Sequence, residues 1–272
     1  MRGGADLKQS SDGKKRLLPT SLLLAIVALI FVTAVTAAWF SISDNTRLYS
    51  INMDISAGPA MRFDLDPHAE INQYKATLGF DDIADRIWLD EGFDPRSTDL
   101  MPVTTENYSE FTLRSGKLVP SSEGAYLSFT LHFMTAKDMN IHLSSANSRR
   151  GADGTLVSSS IPQLPAAMRI SFTVGGDTWV YDPGMGDHSE ISSHNFGKVK
   201  LFGLPNADSM VYNDQNSMFD IKAYTDLPVI VHVWMEGSDP ACTDALKGGD
   251  FTIRLRFVGT DERNQVLDSS ES

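Results

Sequence analysis

Leu17 to Phe40 is an uncharged apolar run directly behind a basic leader, and it constrains this chain more than any other stretch. A helix rises about 1.5 Å per residue, so roughly 20 apolar residues cross the hydrocarbon core of a bilayer. The run meets that length, and the next charge is Asp44. A buried helix of a soluble protein would carry a polar face over such a distance. The leader holds Arg2, Lys8, Lys14, Lys15 and Arg16 against Asp6 and Asp12. By the positive-inside rule this end stays cytoplasmic and the chain beyond Phe40 is exported. The expected bilayer segment thus runs from Leu17 through Leu24 and Ile30 to Trp39 and Phe40, with Trp39 at the outer interface. Val35-Thr36-Ala37 places small residues where a signal peptidase reads, which offers a cut between Ala37 and Ala38. A cleaved signal has an apolar region of about 7–15 residues, so the length favours a retained anchor. Both outcomes stay open: a single-pass membrane protein with its C-terminal domain outside, or a secreted one if cut near Ala37.

Charge narrows the partners. The chain has 272 residues and a net charge of -12; the leader carries five basic and two acidic residues, so the remainder carries -15. An exported domain that acidic is unsuited to nucleic acid or anionic head groups. A single cysteine, Cys242, excludes a disulfide within one chain, and reads as a small core residue. A domain of this length buries enough core without disulfides, which fits a bacterial envelope.

Beyond the apolar run the pattern is that of strands. Ile51, Met53 and Ile55 alternate with polar residues, Ser56-Ala57-Gly58-Pro59 interrupts, and Met61, Phe63 and Leu65 resume, which predicts a meander or hairpin. The period lapses from Asp66 to about Pro102. Within it, residues 81–89 predict a short helix capped by Asp81 or Asp82, with Ile83, Ile87 and Trp88 on one face. Leu127, Phe129, Leu131 and Phe133 share one face of a core strand, and Met139, Ile141 and Leu143 repeat the pattern. Ser144 to Ser160 reads as an exposed loop. Gly175-Gly176 between alternating runs predicts a tight hairpin. Val229 to Met235 is apolar on both faces, as a central strand is, and Phe251 to Phe257 alternates as the last strand. Residues 260–272 read as a disordered polar tail. Roughly ten short strands with little helix predict a mainly β fold, an antiparallel β-sandwich of jelly-roll type over residues 41–259, preceded by a leader (1–16) and a transmembrane or signal helix (17–40).

Catalytic signatures are missing: no G-x-S-x-G, no phosphate-binding glycine loop, no H-E-x-x-H and no C-x-x-C. The expectation is therefore not an enzyme, with no resident cofactor. Asp187, His188, Glu190 and His194 have zinc-ligand types but sit between turn signals, so they read as solvated loop residues. Acidic clusters recur at Asp64/Asp66, Asp81/Asp82/Asp85, Asp90/Glu91/Asp94 and Glu236/Asp239/Asp244. Calcium takes such oxygens in flexible geometry, and Glu236, Asp239 and Asp244 are the candidate ligands. A paired-carboxylate glycosidase would also use acids, which keeps an extracellular hydrolase as an alternative. Trp88, Trp179 and Trp234 could stack on sugars, although aromatics on strands are more often core. Trp234 is equivocal, since Val231 and Val233 point to the opposite face.

The apolar segment ending Ala37-Ala38-Trp39-Phe40-Ser41, the polar stretch Asp44-Asn45-Thr46 and the strand closing on Ser56-Ala57-Gly58 resemble the TasA/camelysin-type surface proteins of Gram-positive bacteria. Val233 to Cys242, reading Val-Trp-Met-Glu-Gly-Ser-Asp-Pro-Ala-Cys, is similar to a stretch in other anchored bacterial proteins. The family resemblance implies a jelly roll, a matrix or fibre role and no catalysis. It also implies assembly by strand donation, with Ser41 to Ile55 as the donor segment and β-augmentation as the physics. The functional expectation is a non-enzymatic cell-surface protein with a structural, matrix or adhesive role, in contact with the bilayer, with other copies or with other surface proteins. The alternative is an anchored carbohydrate- or calcium-binding module.

Overall fold

The computed structural model describes residues 26, 28, 51–57, 60–145, 154–185, 192–193, 199–205 and 210–267. Contacts divide the chain into Met1–Ser43 and Asp44–Ser272. In the first unit only Ile26 and Ala28 are described, both helical. Leu17, Leu24, Ile30, Ala37, Ala38, Trp39 and Phe40 lie outside the described residues. Among those that are described, no helix is long and apolar enough to cross a membrane.

The second unit is mainly β, built from antiparallel sheets with a few parallel pairings. One sheet has six strands: β1 (Ile51–Ala57), β3 (Thr77–Leu78), β8 (Met139–Leu143), β9 (Leu156–Ser158), β14 (Phe219–Ile221) and β16 (Phe251–Thr260). Their order is β14-β8-β16-β1-β3. β9 and β8 divide one edge of β16 between them, at Thr252–Arg254 and Phe257–Thr260. The other edge of β16 carries β1, running parallel from Ile51↔Phe251 to Ala57↔Phe257.

The larger sheet contains β2 (Met61–Asp64), β4 (Pro102–Val103), β7 (Leu127–Thr135), β10 (Met168–Val174), β11 (Asp177–Tyr181), β12 (Ser192–Ser193), β13 (Val199–Phe202) and β15 (Leu227–Glu236). Its order is β12-β13-β11-β10-β15-β7-β2, with β4 parallel to the end of β15. The hairpin of β5 (Phe111–Thr112) and β6 (Leu118–Val119) stands apart as a two-stranded sheet.

Strict alternation explains the core. On β7, Leu127, Phe129, Leu131 and Phe133 are buried while Ser128, Thr130 and His132 are partly exposed. Phe251, Ile253, Leu255 and Phe257 do the same on β16. Side chains of both sheets meet in one cluster: Phe257 lies 5.0 Å from Phe133 and 5.6 Å from Phe172, ring centre to ring centre. Gly175 and Gly176 take φ of 58° and 93°, the positive values that a two-residue turn between β10 and β11 requires.

Several expectations are corrected. β1 and β2 do not pair as a hairpin; they belong to different sheets. The apolar period assigns faces but not partners, so it cannot tell a hairpin from a strand that changes sheets. Helix α1 spans Phe80–Glu91, and its N-cap is Gly79, whose N–H donates to the Asp82 carboxylate at 3.1 Å. Its buried face is Ile83, Ala84 and Ile87, whereas Trp88 is 55 % exposed. Successive helical residues turn by about 100°, which carries Trp88 off the narrow buried arc. The stretch read as an exposed loop over 144–160 includes β9 on the edge of β16. The stretch read as a disordered tail is ordered through Leu267: Thr260 ends β16 and bridges Val266, and Leu267 packs on the core.

Candidate functional site

β15 organises the candidate site because each of its faces is covered differently. Val229, Val231, Val233 and Met235 point into the shared core. On the other face Ile230 is 44 % exposed, while His232 and Trp234 are buried beneath a flap formed by residues 104–126. The flap contributes Phe111, Val119 and Tyr126 to a second cluster with Val180, Val199 and Trp234. Phe111 stacks on Tyr126 at 4.0 Å and meets Trp234 edge-on at 5.3 Å. This answers the ambiguity of Trp234: it faces away from the main core into a satellite core of its own.

The stretch from Val233 to Cys242 is a hydrogen-bonded corner. Trp234 Nε1 donates to Glu236 Oε2 at 2.9 Å, and Glu236 Oε1 accepts from Ser238 N–H at 3.0 Å and from its hydroxyl at 2.7 Å. Gly237 N–H donates to the Val103 carbonyl at 2.8 Å, so close to β4 that an added Cβ would lie 3.3 Å from Pro102. Asp239 accepts from Ala241 N–H at 2.7 Å and, on its other oxygen, from Arg169 Nη2 at 2.5 Å. The same guanidinium holds Asp182 at 3.0 Å and caps the carbonyls of Ala166 and Met168. Burial raises the Asp182 carboxyl above its usual range, with the Arg169 charge opposing. Cys242 is completely buried, and burial pushes its thiol up to about 11. A thiol that high and that enclosed is inert in the folded chain. Iodoacetamide at pH 8 should therefore leave Cys242 unmodified in the folded protein and alkylate it fully in urea, as read by mass spectrometry.

The calcium candidates are engaged in this framework. Glu236 and Asp239 hold the corner, and Asp244 pairs with Lys247 at 3.2 Å. Among the described residues, no group of three or more His, Cys, Asp or Glu is arranged to hold a metal. The other acidic clusters are laced by cations. Arg86 bridges Asp66 and Asp90, Arg96 contacts Asp81, Asp85 and Asp94, and Lys75 binds Asp82. Asp187, His188, Glu190 and His194 lie outside the described residues. The three tryptophans form no platform: Trp179 is in the main core under Lys200, Trp234 is beneath the flap, and Trp88 is on α1.

Two polar features were not anticipated. His142 is buried on β8; its Nδ1–H donates to Asn216, 2.9 Å from the side-chain oxygen, and its Nε2 accepts from the Thr260 hydroxyl at 3.0 Å. Desolvation lowers its pKa and keeps it neutral, pinning the 210–218 loop. His132 and Tyr74 both bond Asp226, at 2.9 Å and 2.8 Å, tying the segment after β2 to β7. Residue type alone carried no signal for these, because each partner lies far away in sequence.

On the outer surface of the flap lies a groove of ≈ 400 Å³, lined by Thr104, Thr105, Glu106, Asn107, Glu110 and Leu118 among others. Asn107 donates to Glu110 at 3.3 Å, and its side-chain oxygen organises the turn through the N–H groups of Ser109 and Glu110. The groove is half-open; two glutamates, an asparagine and three threonines line it, yet most of its exposed lining is apolar, Leu118 included. The chain matches no protein-family model, no curated protein and no solved structure.

Proposed function

We propose that this chain is a non-enzymatic bacterial cell-surface protein, anchored by or released from residues 17–40, with a structural, matrix or adhesive role. Its domain is read as a jelly-roll-like β-sandwich. The observation that carries the proposal is the place of β1. This strand begins shortly after the export segment and lies alongside the C-terminal strand β16 over its whole length. On its other side β3 pairs only Ile55 and Ser56, so Ile51 to Asp54 have no strand partner there among the described residues. A strand next to the export segment, with half of one edge open, is suited to β-augmentation between copies. The expected donor segment, Ser41 to Ile55, overlaps β1 at Ile51–Ile55.

The test is electron microscopy of the mature protein taken from the cell surface, with its N-terminus sequenced. Wild type should form fibres or ordered assemblies, and Met53→Pro, which removes a ladder N–H from β1, should form none. Strictly monomeric wild-type particles under all conditions would sink the assembly reading. The groove on the flap favours a second reading, a carbohydrate ligand, because it sets hydroxyls, an amide and carboxylates beside a largely apolar surface, the mix a sugar ring presents in return. Glycan-array binding lost in Glu106→Ala would support it.

A further inference from the structure

We propose that His232 is an acid latch, and that protonation of its ring releases the β5–β6 flap from the outer face of the larger sheet. His232 is 8 % exposed and sits between aromatic rings of the flap, with Phe111 at 5.2 Å and Tyr126 at 5.9 Å. The Tyr108 backbone carbonyl favours the protonated ring, a smaller influence than burial. Nδ1 is buried with no hydrogen-bond partner among the described residues. Among the described residues, the neighbouring strands offer it no counter-charge. The register partners of His232 are Ser171 on β10 and Ser128 on β7, both neutral hydroxyls, and the Ser171 hydroxyl is itself buried without a partner.

Charged groups on the surrounding elements are paired elsewhere or lie at the exposed surface. On β15, Glu236 is turned to Trp234 and Ser238. On β10, Arg169 is held by Asp182 and Asp239. From the flap side, Glu110 is bonded to Asn107, Lys117 pairs with Glu123, Glu106 is exposed and Arg114 acts on Cys242, while Glu91 of α1 accepts from Ser121. Beyond Ser128 on β7, His132 is taken by Asp226. An imidazolium in the closed state would therefore be buried against aromatic rings and neutral hydroxyls, with the Tyr108 carbonyl too small an influence to offset burial. Flap opening is the cheapest escape, because the flap packs in its own cluster and leaves the main core intact.

The direction follows from linkage. Burial lowers the His232 pKa from 6.5 to about 4, so the open flap takes up a proton between those values and the closed flap does not. Closure is fully favoured above the open-state value and weakens as pH falls towards the closed-state value. The population of open flap should rise by roughly a hundredfold over that window. The test is amide hydrogen exchange on the full chain in detergent, corrected for intrinsic rates. Protection of amides 105–126 should fall by about that factor from pH 6.5 to 4 while β16 amides keep theirs. His232→Phe and His232→Gln, neither of which titrates, should hold flap protection flat; Gln keeps a polar side chain beside the Tyr108 carbonyl if Phe does not fold. Loss of flap and β16 protection together in wild type, or an unchanged fall in either folded variant, would overturn the latch.

Discussion

Arg169→Met is expected to destabilise the domain by about 3–5 kcal/mol, because it strips the cation from one buried and one half-buried carboxylate. In the native chain the Arg169 side chain is 12 % exposed, against 9 % for Asp182 and 17 % for Asp239. Its fork also satisfies two carbonyls at the start of β10, which would be left open. The pH dependence identifies the cause. Asp182 is already raised by burial, and the Arg169 charge is the largest influence pulling it down. Without that charge its folded pKa rises further. A carboxyl with a raised folded pKa stabilises the fold at low pH, and that contribution is lost as pH rises through the folded value. The deficit against wild type should therefore be greatest near neutrality and shrink as pH falls towards the acid range. Urea denaturation at pH 7 and pH 5 measures both. Adding Asp182→Asn to Arg169→Met should recover part of the loss. A deficit below about 1 kcal/mol at either pH would mean that water already solvates the cluster.

The same cluster shows why part of this molecule was legible in the sequence and part was not. β7 and β16 could be read because alternation directly encodes which face is buried. The Gly175-Gly176 turn could be read because its backbone needs positive φ. Pairing is another matter. Nothing local tells β1 that its neighbour is the C-terminal strand, or tells Arg169 that its partners are Asp182 and Asp239. The apolar outer face of β15 signalled a central strand, but what covers Trp234 is a hairpin whose own residues, Phe111 and Val119, make only short strands. The acidic clusters looked like ligand sets because a one-dimensional reading sees the aspartates and not Arg86 or Arg96 reaching across to them. Glu236 and Asp239 carry oxygens of the kind calcium takes, and those oxygens are used, by Trp234 and Arg169.

Phe133→Ala tests whether the two sheets hold together as one cooperative body. Phe133 is fully buried on β7, and its ring meets Phe63 of its own sheet at 6.0 Å. Across the interface it meets Phe219 at 5.8 Å and Phe257 at 5.0 Å, on β14 and β16. Truncation removes the ring that joins three others and leaves a cavity between strands too firmly paired to collapse into it. The expected loss is about 3–5 kcal/mol, whereas Phe133→Leu, which keeps much of the volume, should lose about 1.5 kcal/mol or less. Far-UV circular dichroism reports both sheets in urea, while tryptophan fluorescence reports Trp179 in the main core and Trp234 under the flap. Because Phe133 touches both sheets, its removal should shift the two transitions by the same amount and leave their slopes unchanged. A shift seen by one probe alone would mean that the sheets unfold separately, and the ring contacts across the interface would then not be what couples them.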